Sequence, residues 1–93
     1  MSRHELALQK RIVAAIIERG GLARICAQTP YTVVGDPDIY GSYSGRMFQF
    51  EVKIGKEQPT AIQKRRMKEW IRVGAHVAVV RSVKEAVEEL SWV

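Results

Sequence analysis

Asp38 and Glu51 are two carboxylates separated by thirteen residues, and Lys53 follows Glu51 by two. Side chains of these types suit phosphodiester hydrolysis. That reaction needs a water activated near neutral pH, a stabiliser for charge growing on the phosphate oxygens, and help for the departing oxyanion. Strict alternation over Met47-Phe48-Gln49-Phe50-Glu51-Val52-Lys53-Ile54 assigns faces with a two-residue period. Phe48, Phe50, Val52 and Ile54 share one face; Gln49, Glu51 and Lys53 share the other. The ordinary account of such a pattern is a half-buried antiparallel strand whose polar face is merely wet. A second carboxylate on the neighbouring strand argues for more. Gly35-Asp36-Pro37 reads as a turn, Asp38 to Tyr43 as a strand, Ser44-Gly45 as a tight reversal and Arg46 to Ile54 as the partner strand. Asp38 and Glu51 then fall at the same end of one hairpin. They repel unless a cation sits between them, and hard oxygen ligands of this kind suit Mg²⁺ or Mn²⁺. Lys53 projects to the Glu51 face, where its ammonium can meet a phosphate or orient a water. Asp36 is a competing carboxylate, but position relative to Pro37 and to the strand favours Asp38.

Pro37-Asp38 followed by Glu51-Val52-Lys53 resembles the PD-(D/E)XK nuclease superfamily. With Glu5 near the N-terminus, Gly35-Asp36-Pro37-Asp38-Ile39, Gln63, and Gly74 ahead of Val77-Ala78-Val79-Val80-Arg81-Ser82, nearly the whole chain resembles the VRR-NUC (virus-type replication-repair nuclease) family. It looks most like the small stand-alone phage-type members, which are similar in fold to archaeal Holliday-junction resolvases. The resemblance implies a metal-dependent endonuclease, usually homodimeric, that acts on branched DNA such as four-way junctions. It also implies roles. Asp38, Glu51 and the Val52 backbone carbonyl would hold one or two Mg²⁺ or Mn²⁺ ions, with Glu5 joining directly or through water. Lys53 would stabilise the pentacovalent phosphate and position the attacking water, and Gln63 would orient Lys53 or that water.

The elements that carry these residues follow the order α-β-β-β-α-β-α. Ser2 caps a helix running to about Arg19, closed by Gly20-Gly21. Strands are expected at Leu22 to Ala27, Asp38 to Tyr43 and Arg46 to Ile54. Thr60 caps a helix to Val73, His76 to Arg81 is an apolar strand, and Ser82 caps a short helix to about Leu90. The strand-helix-strand portion is a crossover, so the last strand should run parallel to the Arg46 to Ile54 strand. The expected fold is α/β, a PD-(D/E)XK nuclease-like core with a mixed central sheet flanked by helices, forming one domain over residues 1–93.

Three capping boxes, Ser2 to Glu5, Thr60 to Gln63 and Ser82 to Glu85, offer a purely structural explanation for Glu5 and Gln63. For Glu85 capping is the whole account. At about 100° per residue, Glu5 projects along the arc of Leu8, Ile12, Val13 and Ile16, and Gln63 lies between Trp70 and Met67. Inward-facing polar groups need partners, which a metal-water cluster would supply, and both roles can coexist if the first turn of each helix faces the site. On the Thr60 helix, Lys64, Arg65, Lys68 and Arg72 fall within an arc of about 100°, with Glu69 expected elsewhere, and would track a phosphate backbone. The plain alternative is a solvated face. Lys56 and Arg46 are expected to add DNA contacts near the catalytic end. None of these reads base sequence, because phosphate contacts position a duplex without specifying it.

Fifteen Lys and Arg against ten Asp and Glu give a formal charge of +5, which favours a polyanionic partner. The single cysteine, Cys26, has no internal disulfide partner and is expected to be a buried strand residue in a reducing compartment. His4 and His76 lack ligand spacing to another His or Cys, which argues against zinc. Trp70 and Trp92 are expected in the core or a dimer contact, whereas Tyr40 and Tyr43 lie where DNA contact is open. No apolar run approaches membrane-spanning length and the N-terminus lacks a signal-peptide pattern, so a cytoplasmic protein without a membrane partner is expected. A chain of 93 residues gains from association, and with apolar Leu90 and Trp92-Val93 a homodimer is the expected state. Two alternatives to a junction-selective enzyme remain: a nonspecific or flap-directed nuclease sharing the same site, and a non-catalytic DNA-binding module that keeps the fold.

Overall fold

Hydrophobic periodicity and capping chemistry set the elements of the computed structural model, which describes residues 2–93. Helix α1 (Arg3–Glu18) starts where the Ser2 side chain accepts the Glu5 N–H at 3.1 Å, and presents Leu8, Ile12 and Ile16 to the interior. Strands β1 (Leu22–Ile25), β2 (Ile39–Tyr43) and β3 (Arg46–Val52) follow, then α2 (Ala61–Arg72), β4 (His76–Val80), α3 (Val83–Glu89) and a 3-10 turn at Leu90–Trp92. The expected order holds. Strands come out one to two residues shorter than expected, each ending a residue or two earlier or starting one later.

The sheet order is β1-β2-β3-β4, antiparallel between the first three strands and parallel between β3 and β4. Ser44 and Gly45, both at positive φ (52° and 80°), close the β2–β3 hairpin as a tight two-residue turn that pairs Tyr43 with Arg46. The parallel pairing requires a crossover, and α2 provides it. Phe48, Phe50, Val52, Ile39 and Val80 form one apolar sheet face against Leu8, Ile12 and Ile16 of α1 and Ala86 and Leu90 beyond β4. The Phe48 and Phe50 ring centroids lie 4.8 Å apart.

The other face departs from the half-wet strand of the ordinary account. Gln49, Glu51 and Lys53 are 5%, 1% and 6% exposed, so this polar face is enclosed too. α2 sits differently: none of its residues is buried, and its fit rests on contact with β4 and with the loop before β2. Cys26 departs from expectation. β1 ends at Ile25, leaving Cys26 partly exposed beyond the strand, where burial and the nearby Asp36 and Asp38 push its thiol pKa up. Trp92 is 70% exposed and outside the core, whereas His76 donates to or accepts from Glu89 at 3.0 Å on the edge strand. No helix among the described residues is long and apolar enough to cross a membrane.

Candidate functional site

Ile39 pairs with Phe50, which puts Asp38 opposite Glu51 where β2 begins and β3 ends. Asp38 Oδ2 accepts the Val52 N–H at 2.8 Å, and the Asp38 carbonyl accepts the Cys26 N–H at 2.7 Å. The next amide along, Lys53 N–H, instead donates to Val80 across the parallel pairing at 3.1 Å. N–H and C=O of one strand residue point to the same side, so the Val52 carbonyl is turned toward Asp38, away from β4. Glu51, Asp38 and this carbonyl therefore gather at one corner of the sheet.

That corner opens into a cavity of about 260 Å³ lined by Glu5, Gln28, Gly35, Asp36, Asp38, Glu51, Lys53, Glu57 and Gln63. All five residues expected at the site line it, brought from four separate segments. Glu5 comes from the first turn of α1, beyond the sheet's end. Gln63 comes from the first turn of α2, where its Oε1 accepts the Thr60 N–H at 2.9 Å while Thr60 Oγ1 accepts the Gln63 N–H at 3.3 Å. The capping box is thus fully formed, and Gln63 lines the cavity as well.

The electrostatics are severe. Burial, followed by the Asp38 charge and a shared side-chain hydrogen bond with Asp38, pushes the Glu51 pKa from an ordinary 4.5 up to about 9; Lys53 opposes the shift and Glu5 adds to it. Glu51 Oε2 is buried with no hydrogen-bond partner. Lys53 has its stem enclosed, and among the described residues no carboxylate approaches its ammonium within 4 Å. A hard divalent cation suits this corner: it would give the orphaned Glu51 oxygen a partner and offset the repulsion with Asp38. Among the described residues no three His, Cys, Asp or Glu side chains are arranged to hold a metal ion. The side-chain oxygens that could meet such an ion here are those of Asp38 and Glu51, with Glu5 lining the same cavity. Few protein ligands and several waters is the coordination that Mg²⁺ favours.

The basic residues divide. Lys64, Arg65, Lys68 and Arg72 line one groove of about 590 Å³ along α2. Glu69, expected to point elsewhere, borders the same groove, and its carboxylate is held by Arg66 at 3.2 Å. Lys56 is exposed in the loop after β3, at the site's end of the sheet. Arg46 is not near the site. It opens β3 at the hairpin turn, five residues from Glu51, or about 16 Å along the strand, and reaches the Gly74 and Trp92 carbonyls at 3.4 and 3.5 Å. Tyr40 shares the Asp38 parity and pairs with Gln49 on the site face, whereas Tyr43 packs on the core.

Sequence reasoning passed over Gln28 and Glu57, which line the cavity from loops with no periodicity to reveal them. It also passed over Gln9, one turn after Glu5, which is fully buried with neither amide atom partnered. An inward Gln among Leu8, Ile12 and Ile16 was the available signal.

No protein-family model matches the chain, and no curated protein matches it in sequence. Solved structures do. A VRR-NUC domain superposes with a TM-score of 0.77 at 26% identity, covering 97% of each chain. The Holliday-junction resolvase Hjc of the archaeal hyperthermophile Archaeoglobus fulgidus superposes at 0.61 with 20% identity, covering 80% of this chain and 66% of that one. The second likeness shows shared fold; the first spans nearly all of both chains. The chain is thus similar to a VRR-NUC domain over nearly its whole length and shares the fold of the archaeal resolvase.

Proposed function

We propose that the protein is a divalent-metal-dependent DNA endonuclease that hydrolyses phosphodiester bonds, selective for branched DNA such as four-way junctions. The observation that carries this reading is the buried Glu51 carboxylate beside Asp38, its Oε2 without a hydrogen-bond partner, with the Lys53 ammonium free of any carboxylate in the same cavity. Structural cores rarely retain such an arrangement, because each element of it costs stability.

Asp38, Glu51 and the Val52 carbonyl are the residues that would hold Mg²⁺ or Mn²⁺. When bound, such an ion supplies an acidified water and positive charge against the phosphate oxygens. The chain's own groups do the rest. Lys53 places its ammonium against the oxygens that gain charge in the transition state, in a cavity where restricted access to water strengthens the interaction. Glu5 accepts a proton or a hydrogen bond from water at the cavity mouth. Gln63, its carbonyl committed to Thr60, has its amide N–H groups left to donate. Lys64, Arg65, Lys68 and Arg72 on α2 neutralise backbone phosphates, with Lys56 closer to the cut.

A homodimer completes the proposal. Two sites at fixed separation would cut symmetric strands of a junction, whereas one site would nick. Val34, Ile71 and Val73 are all more than half exposed on or beside α2, apolar surface that a second copy would cover. The proposed protein is cytoplasmic. The test is a panel of duplex, flap, fork and four-way junction DNAs with Mg²⁺ or Mn²⁺, alongside light scattering. Preferential junction cleavage by a species of dimeric mass supports the proposal; equal cleavage of every substrate favours the nonspecific or flap-directed reading, and binding without cleavage favours a non-catalytic module.

A further inference from the structure

Asp38 closes the loop between β1 and β2, whose two ends the sheet holds together. The stretch of that loop just before Asp38, Val34 to Asp36, is held by α2. Trp70 Nε1 donates to Asp36 Oδ1 at 3.1 Å, and Arg66 Nε donates to the Val34 carbonyl at 3.1 Å, spans of 34 and 32 residues in sequence. Between them Gly35, at φ +89°, lies flush on the helix: a Cβ there would stand 3.0 Å from the Ile62 side chain and 3.1 Å from the Ile62 carbonyl. Pro37, buried and fixed in φ, passes this position directly to Asp38.

From this geometry we infer that Trp70 is a positioning residue, which through Asp36 sets where the Asp38 carboxylate stands relative to Val52 and Glu51. Asp36 then serves as a hydrogen-bond acceptor for Trp70, and its charge is dispensable. The consequence is mechanical. None of α2's residues is buried, so the helix is held by this latch and by its packing on β4 rather than by a core of its own. The same helix carries Lys64, Arg65, Lys68 and Arg72, so a phosphate backbone seated on that groove pulls on the element that aligns the carboxylate pair. This deepens the nuclease reading, and only its cleavage arm rests on that reading.

The Val52 amide reports the alignment without metal or DNA, because its hydrogen bond to Asp38 Oδ2 exists only when Asp38 is in place. Amide hydrogen exchange is measured by NMR in the full chain for the wild type and for Trp70→Phe, Asp36→Ala and Asp36→Asn. Asn keeps the acceptor oxygen and loses the charge. Trp70→Phe and Asp36→Ala should each lower Val52 protection by about tenfold or more, with Phe50 in the β3 ladder unchanged, while Asp36→Asn stays near the wild type. In single-turnover cleavage the first two should be slowed with DNA affinity retained. Wild-type Val52 protection in Trp70→Phe overturns the inference. So does an Asp36→Asn variant as impaired as Asp36→Ala, which would mean that Asp36 acts through its charge. Should Trp70→Phe fail to fold, as Phe50 exchange would reveal, the two Asp36 variants decide alone. If the wild type cleaves no DNA, the nuclease reading fails and Val52 exchange still decides this one.

Discussion

Asp38 accepts the Val52 amide at 2.8 Å and thereby stands its carboxylate against Glu51, a residue 1% exposed. One hydrogen bond thus fixes two like charges at a corner where neither is well solvated. Everything the site is proposed to do depends on what relieves that repulsion.

In metal-free protein Lys53 offsets it in part, and a proton on Glu51 relieves the rest. With its pKa pushed from 4.5 up to about 9 by burial and Asp38, Glu51 binds a proton more tightly in the folded chain than in the unfolded one. This contribution to stability is complete below about pH 4.5 and is lost as pH rises toward 9. Urea unfolding in EDTA should show the wild-type midpoint falling between pH 6 and pH 9 by more than that of Glu51→Gln, in which the group no longer titrates. Parallel midpoints for the two proteins would show that Glu51 is not so perturbed.

A divalent ion bound between Asp38 and Glu51 must displace that proton. Calorimetric titration with Mg²⁺ near pH 7.5, in buffers of different ionisation enthalpy, should reveal release of about one proton per ion bound. Glu51→Gln should weaken the ion's binding by tenfold or more and abolish the release.

Lys53 lines the cavity and, among the described residues, no carboxylate lies within 4 Å of its ammonium, so its charge is available to a phosphate. Lys53→Ala should lower the single-turnover cleavage rate by roughly 100-fold or more, in the range found for loss of one transition-state donor, with DNA affinity changed little. A variant that cleaves at the wild-type rate would remove Lys53 from the chemistry.

Lys64, Arg65, Lys68 and Arg72 share one groove, whereas Arg46 lies at the far end of β3. Fluorescence anisotropy of labelled DNA across salt concentrations should show each Ala substitution in the groove reducing the slope of log affinity on log salt by about one. Arg46→Ala should leave the slope unchanged.

The hairpin was legible because alternation over Phe48 to Val52 and the turn residues Ser44-Gly45 are local signals, and together they placed Asp38 against Glu51. Capping chemistry likewise located the first turns of α1 and α2, and with them Glu5 and Gln63. Long-range relations left no such trace. The Trp70–Asp36 bond joins residues 34 apart, and nothing in either neighbourhood announces the other. Enclosure of Gln49, Glu51 and Lys53 was hidden because alternation reports which residues share a face but not what covers it. Arg46 was misplaced although its distance from Glu51 could be counted along the strand. Glu69 was set apart from the basic groove by helical angle alone, which ignores the width of side chains across a surface.

The most direct test of the account is cleavage of a labelled four-way junction by the wild type and by Asp38→Asn, each with Mg²⁺ and with EDTA. The account predicts products only for the wild type with Mg²⁺, and none for Asp38→Asn at the same DNA occupancy. Cleavage that persists in EDTA, or in Asp38→Asn with Mg²⁺, would contradict it.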